Sequence, residues 1–420
     1  MAAPTEKTPS IASAQQKTIY SILFAISFVH LLNDSMQAVI PAIFPILEES
    51  MGLTFTQLGW IAFTLNITSS VMQPVVGWYT DRTTSPYLLP FGMMASLVGM
   101  LGIAFADSFS MIILSVIGIG LGSAVFHPEG SRVAYMAAGN RRGLAQSIYQ
   151  VGGNSGTSLA PVMTALVFVP LGQFGAVWFT SLAAVAIFVL FYVSGWYAKQ
   201  LIHFPRVKKQ TGEKKTMNNK RKNKVIIAMA LLVFLVFARS WYFSGIGNYY
   251  QFYLIDDYGL SIRQAQIYLF VFLAAGVLGT FFGGPIADRL GKRNMIFFSM
   301  VGTAPLALLL PHVGLWAVFP LFFLIGFILN TSFSVTVVYA QELVPGRIGM
   351  VSGLIVGLAF GMGALGSVVL GKVADITSIA YTMLLISFLP LLGLLTVMLP
   401  TDKMLEKWSQ GDRPPTNTNP

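Results

Sequence analysis

The chain has 420 residues, 55% of them hydrophobic and 10% charged, with no cysteine and a formal net charge of +10; its mean hydropathy is +0.70. Soluble domains carry about 25% charged residues, so a water-facing globular surface is excluded, as are disorder and, without cysteine, any disulfide framework, thiol chemistry or cysteine-based metal site. Long apolar runs exclude the short alternating strands of a membrane β-barrel, and the positive charges lie in the connections between runs, which marks orientation in a bilayer and no nucleic-acid interface.

Residues 1–18 read as a polar cytoplasmic tail carrying Pro4 and Pro9. No short apolar core with a small-residue cleavage site follows, so the first hydrophobic segment reads as a retained span. A spanning helix needs about 20 apolar residues, and twelve segments supply them. Ile19–Leu47, Leu58–Tyr79, Tyr87–Ala106, Met111–Tyr135, Leu144–Val169 and Val177–Trp196 make an N-terminal bundle over residues 19–197. Residues 198–224 carry ten Lys or Arg and one acid, Glu213, and read as a basic cytoplasmic linker too polar to pack a core. Val225–Leu254, Ala265–Ile286, Met295–Leu310, Leu315–Ala340, Met350–Val373 and Ile379–Leu399 make a C-terminal bundle over residues 225–400, and residues 401–420 are expected to be a disordered cytoplasmic tail. The expected fold class is an all-α membrane protein of twelve transmembrane helices in two six-helix bundles.

The bundles are related. Gly52-Leu53-Thr54 with Gln57 matches Gly259-Leu260-Ser261 with Gln264, and Asp81-Arg82 matches Asp288-Arg289, both at an offset of 207 residues. Internal repetition with binding between the repeats is a transporter architecture. With the N-terminus inside, the tails and the loops on that side hold 22 of the 26 Lys and Arg. The opposite loops hold Arg263 and Lys372 beside acidic Glu48, Glu49, Asp256 and Asp257. The positive-inside rule puts both termini in the cytoplasm.

Charge inside a span costs at least about 2.5–3.5 kcal/mol on insertion scales and needs a reason. Asp34 lies about 22 Å along span 1, near mid-membrane, at 1.5 Å rise per residue. His30, Asp34, Gln37 and Pro41 share its face, a polar stripe that points to a water-filled cavity. Alternating hydration can load and release a proton at such a carboxylate, making Asp34 with His30 the proton-coupling candidates; the alternative is a permanently protonated or His30-paired acid. Arg239 sits at nearly the equivalent depth of span 7, followed on its face by Tyr242, Phe243, Tyr250 and Tyr253. A guanidinium binds phosphonate or phosphate bidentately, and an ion pair with Asp34 is the competing reading.

Span 4 carries His127, Glu129 and Arg132 around a helix-disrupting Pro128. Glu129 and Arg132 are spaced for a local salt bridge. His127 projects about 160° from Glu129 on an ideal helix, so it faces the cavity as a second titrating or anion-binding group or stays apart from both. Span 5 presents Gln146, Gln150, Asn154 and Ser158 on one side, interleaved with Gly152, Gly153 and Gly156, a pattern of polar contact and close helix packing. Asn66, Gln73, Asn330 and Ser334 add neutral polar contacts in spans 2 and 10. Four scattered histidines and no cysteine predict no zinc site.

Two loops repeat a pattern: Gly77-WYT-Asp81-Arg82 after span 2 and Gly284-PIA-Asp288-Arg289-Leu290-Gly291-Lys292-Arg293 after span 8. These resemble the loop signature of the major facilitator superfamily, as does the duplicated twelve-span plan; the first copy departs after Arg82, where Thr83-Thr84-Ser85-Pro86 follows. The segments His30-Leu31-Leu32-Asn33-Asp34, Gln73-Pro74-Val75-Val76-Gly77, Phe126-His127-Pro128-Glu129, Gln150-Val151-Gly152-Gly153-Asn154 and Tyr339-Ala340-Gln341-Glu342-Leu343 look like the bacterial fosmidomycin-resistance family. The resemblance implies a multi-pass inner-membrane exporter of small drugs such as that phosphonate antibiotic, with the major facilitator fold and alternating access.

The expected partners are a small-molecule substrate, with an anion among the candidates, protons and the lipid bilayer, with the chain acting as a monomer. No nucleotide-binding motif is present, so the energy source is the proton gradient and no cofactor is expected. Asp34 and His30 couple protons; Arg239, Gln37, Tyr242, Phe243, Tyr250, His127, Gln150 and Asn154 contact substrate. Glu129, Arg132, Gly77, Asp81, Arg82, Gly284, Asp288, Arg289, Glu342 and Arg347 build or gate the frame. The rivals are uptake or exchange of an organic anion on the same fold, and an intramembrane enzyme or non-transporting receptor. No nucleophile–base or metal set assembles in the sequence to support an enzyme.

Overall fold

A computed structural model describes residues 17–83, 85–139, 141–203, 219–344 and 348–411. It is helical throughout, with no strand among the described residues. Ten stretches are long and apolar enough to cross a membrane. One of them, Leu144–Leu201, is 58 residues long and reverses at Gly172, so it crosses twice. A further helix, Phe55–Arg82, is full length but rich in Thr, Ser, Asn and Gln and falls below the apolar threshold. Together these make the twelve crossings expected.

In chain order the spans are α1 (Tyr20–Ala42, continued by Phe44–Met51), α2 (Phe55–Arg82), α3 (Leu88–Phe105), α4 (Phe109–Ala137), α5 (Arg142–Met163) and α6 (Ala176–His203). The second half holds α7 (Asn219–Asp256), α8 (Ile262–Leu290), α9 (Lys292–Val301, continued by Thr303–Leu309), α10 (Leu315–Asn330, continued by Phe333–Leu343), α11 (Ile348–Ile376) and α12 (Ile379–Ile386, continued by the tighter helix Leu389–Met398). The ends of the expected linker are therefore helical, and its middle, 204–218, lies outside the described residues, as do 1–16 of the N-terminal tail. The expectation of disorder from residue 401 is corrected over its first part. A helix α13 spans Asp402–Gly411, because Leu405 is buried, Tyr339 donates to the Pro400 carbonyl at 2.6 Å, and the Arg221 guanidinium lies 5.6 Å from the Trp408 ring centre.

The repeated Gly-Leu-Thr/Ser-x-x-Gln motif has one structural meaning in both halves. Gly52 and Gly259 turn the chain at φ 62° and 66°, a left-handed conformation open to glycine. Thr54 with Gln57, and Ser261 with Gln264, then close reciprocal capping boxes on α2 and α8. The pseudo-symmetry extends to assembly: α2 packs on α11 and α5 on α8 across the halves, pairs that exchange when the halves exchange.

The two ends of the molecule differ. Among the described residues, the hydrogen bonds that join the halves gather at the end carrying Glu48, Glu49, Asp256 and Asp257, the acidic end. The Asp375 carboxylate of α11 accepts from the Phe55 and Thr56 amides of α2 at 2.8 Å each and from the Thr56 hydroxyl. It thereby satisfies first-turn amides that α2 leaves unpaired and sits at the positive end of that helix dipole. Tyr249 places its hydroxyl between the carbonyls of Ser367 (2.6 Å) and Phe55 (3.2 Å). Gln251 donates to Pro41 and Gln266 to Ala42, at 2.8 and 2.9 Å, tying α7 and α8 to the end of α1.

This closure makes a prediction. In a chain with no natural cysteine, the pair Thr56→Cys with Asp375→Cys should form a disulfide readily and slow turnover at least about tenfold by holding the halves shut at this end. Reduction should restore turnover; a pair that never oxidises, or that oxidises without effect, contradicts the closed acidic end.

Candidate functional site

The α1 stripe enters the N-terminal half beside α4 and α5. Asp34 receives a hydrogen bond from the Asn33 amide at 2.9 Å. His30 brings Nε2 to 3.3 Å from Asp34 Oδ2, and His127 of α4 brings Nε2 to 3.5 Å from Oδ1. The three ligand atoms lie within 4.8 Å of one another. The scatter of histidines along the sequence thus does not carry into space, and the basis for expecting no metal-competent cluster is corrected. Two turns of α1 and the cavity-facing side of α4 fold them together.

Each imidazole is fixed from behind. His30 Nδ1 meets the Tyr149 carbonyl at 2.7 Å, and its ring stacks on Tyr149 at 4.1 Å. His127 Nδ1 meets the Ser123 carbonyl at 3.0 Å and the Ser123 hydroxyl at 3.1 Å. A carbonyl only accepts, so these partners assign the hydrogen to Nδ1 in both rings and turn both Nε2 atoms toward Asp34. With neutral imidazoles, two lone pairs and an acceptor-only carboxylate converge. The arrangement is relieved by a proton or another cation, which makes it a cation trap with three walls.

Gly153 of α5 makes room for it. A Cβ there would overlap His30 Nε2 and Asp34 Oδ2, so the glycine run expected to permit close packing does so at the cage itself. His30 is nearly sealed, whereas the Asp34 and His127 side chains keep 17% and 29% of their surface exposed.

Behind the cage, Glu129 is fully buried and pairs with Arg132 at 3.1 Å, as the spacing predicts. Tyr197 of α6 donates to the second Glu129 oxygen at 2.8 Å, and Arg132 reaches the Thr80 carbonyl of α2 at 3.3 Å. The three-helix knot holds α4 in place on the side away from His127.

Arg239 lies in the other half. It donates to Asn330 Oδ1 at 2.8 Å and to the Leu329 carbonyl at 3.3 Å, and it faces the Phe333 ring at 5.1 Å. It does not pair with Asp34, whose charged neighbours are the two histidines. A guanidinium 9% exposed and held by neutral acceptors keeps its charge uncompensated. On nearby faces of α7, the hydroxyls of Tyr242 and Tyr250 are buried without partners, and such groups cost about 1–3 kcal/mol each unless something satisfies them. The Tyr250 ring packs on Phe322, and Phe243 packs on Phe272, so the aromatic wall belongs to the C-terminal half.

The remaining candidates are dispersed. Gln37 and Asn154 are half-buried and Gln150 is exposed. The motif glycines Gly77 and Gly284 lie inside α2 and α8, and an added Cβ at either would meet nothing. Among the described residues no helix closely approaches either glycine, and Asp288 and Arg289 are exposed. The side chains of Asp81 and Arg82, and all of Arg347, lie outside the described residues. Glu342 pairs with Lys292 of the second motif copy at 2.9 Å.

Two positioning groups were missed in the sequence, Asn33 and the Tyr149 carbonyl, whereas Asn330, expected to add a neutral polar contact, is the Arg239 acceptor. Asn33 adjoins Asp34 and was legible in principle. The Tyr149 carbonyl was not, since it depends on how closely α5 approaches.

The geometry has counterparts. Residues 23–357 match the Major Facilitator Superfamily model. The chain is 60% identical over 392 residues to the uncharacterized MFS-type transporter YfnC of Bacillus subtilis (strain 168), covering 93% of this chain and 95% of that one. It is 47% identical over 392 residues to the fosmidomycin resistance protein of Escherichia coli (strain K12), covering 93% and 96%. A bacterial homolog of the human lysosomal transporter Spinster, inward-facing and unoccupied, superimposes with a TM-score of 0.75 at 13% identity, covering 94% of this chain and 98% of that one. Twelve crossings, a duplicated half and these matches together establish that the chain belongs to the major facilitator superfamily of membrane transporters.

Proposed function

We propose that this transporter exports small phosphonate-type drugs from the cytoplasm across a bacterial inner membrane, driven by proton entry. The observation that carries the reading is the separation of two complementary sites. The cage of His30, Asp34 and His127 attracts a cation, and the Arg239 guanidinium, held by the neutral acceptors Asn330 and Leu329, attracts an anion. The likeness to a fosmidomycin resistance protein supports the substrate class, and the fully charged guanidinium supports bidentate phosphonate binding.

The positive-inside rule assigns the basic end and both termini to the cytoplasm, so the described conformation opens inward. In that state the cage releases its proton to the cytoplasm and Arg239 takes up the anion. Rocking then closes the basic end, where the two motif loops engage, and opens the acidic end. Drug leaves, and a proton enters the cage from outside.

Because the sites lie in different halves, an anionic drug does not have to compete directly with a proton at one carboxylate. Each ligand neutralises a charge that would otherwise be carried through a low-dielectric closed state. Coupling runs through the conformational equilibrium, to which each ligand contributes its differential affinity for the two states.

Proton-gradient-driven flux in proteoliposomes tests the reading with fosmidomycin as the probe. Asp34→Asn should abolish gradient-driven accumulation while leaving folded protein in the membrane; undiminished pH-driven transport contradicts the proton role. Arg239→Lys should weaken anionic phosphonates by about tenfold or more, the size of one charge-assisted contact, and neutral compounds far less. Equal losses for both classes assign Arg239 a structural role. Gradient-driven movement toward the cytoplasmic face would assign uptake in place of export.

A further inference from the structure

The cage has the composition and the spacing of a metal site as well as of a proton site. We infer that His30, Asp34 and His127 bind a divalent transition-metal cation of the zinc class, in the same cavity and to the exclusion of the coupling proton. The inference deepens the proposed function by naming a competing ligand for its proton site, but it rests on ligand geometry and not on titration.

Three observations carry it. First, a tetrahedral zinc with nitrogen and oxygen ligands at about 2.0–2.2 Å sets ligand–ligand edges of about 3.3–3.6 Å. His30 Nε2 stands 3.3 Å from Asp34 Oδ2 and His127 Nε2 3.5 Å from Asp34 Oδ1, and one donor atom from each of the three residues lies within 4.8 Å of the others, so a short inward movement of the side chains brings them to those edges. Second, both histidines have the support found behind metal ligands. Each offers its other ring nitrogen to a main-chain carbonyl, Tyr149 or Ser123, which fixes the ring and leaves Nε2 as the donor atom. Third, the space between them is kept clear. Gly153 of α5 backs His30 Nε2 and Asp34 Oδ2, and a Cβ on it would overlap both donor atoms.

Two imidazoles and one carboxylate favour zinc and its borderline neighbours over magnesium or calcium, which take oxygen ligands. Three protein ligands leave a fourth position, and the partial exposure of Asp34 and His127 directs it into the cavity, where water completes the shell. A bound cation of this kind occupies both Nε2 lone pairs and the carboxylate at once. Proton and metal therefore exclude each other, and metal entering from the cavity side holds the transporter out of its proton cycle.

The test uses the full chain, purified without a histidine tag, stripped with a chelator and titrated with zinc chloride by calorimetry. One zinc should bind per chain, at least about tenfold more weakly in His30→Gln and in His127→Gln. Magnesium chloride should give no saturable binding. His312→Gln, at the far end of α9, should bind as the parent does. His127 is half-exposed, so its variant reports even if the His30 variant fails to fold. No saturable zinc binding, or binding untouched by His127→Gln, overturns the inference. Fosmidomycin flux measured in chelator separates the two claims: flux that still needs Asp34 while zinc fails to bind removes the metal site alone. Zinc binding with flux indifferent to Asp34→Asn removes the proton reading alone.

Discussion

Three acceptors face one another inside the N-terminal half, and among the described residues the ionisable groups paired with Asp34 are His30 and His127. Asp34 stands between two imidazoles whose outer nitrogens meet the Tyr149 and Ser123 carbonyls. Lone pairs and a carboxylate brought together in a partly buried site favour a proton or another cation among them. Burial of His30, the clearance left by Gly153 and the bracing of α4 through Glu129, Arg132 and Tyr197 all serve to hold those three atoms at this spacing.

The C-terminal half presents the opposite demand. Arg239 is buried among neutral acceptors, and on the same helix the buried hydroxyls of Tyr242 and Tyr250 have no hydrogen-bond partner among the described residues. One half is thus short of a cation and the other short of an anion, although the halves descend from the same repeat. At the acidic end Asp375 holds the first turn of α2 and joins the two halves.

Much of this was legible in the sequence, and the reasons differ by residue. The twelve crossings follow from run length, and the repeat at offset 207 falls on two matching helix starts, each closed by a capping box. Glu129 and Arg132 were spaced to meet on one helix, and they do. The cage was only half visible. His30 and Asp34 share a helix face, but His127 joins them from another helix, and a helical wheel carries no information about where that helix is placed. The motif aspartates were read as loop residues, yet α2 and α8 continue through them, because positive-inside charges extend a helix into water as readily as they end it. The tail after residue 401 looked disordered on composition, whereas Leu405 and Trp408 find an apolar and aromatic seat at the base of the C-terminal half.

The assignment of hydrogens in the cage is the point on which everything else turns. Solid-state nitrogen NMR of histidine-labelled protein in lipid bilayers reads it directly, with His→Gln variants to assign the resonances. In their neutral form both cage imidazoles should carry hydrogen on Nδ1 and present a bare Nε2. A neutral ring with hydrogen on Nε2 in either histidine would mean that the carboxylate is already satisfied, and that the cage needs no cation at all.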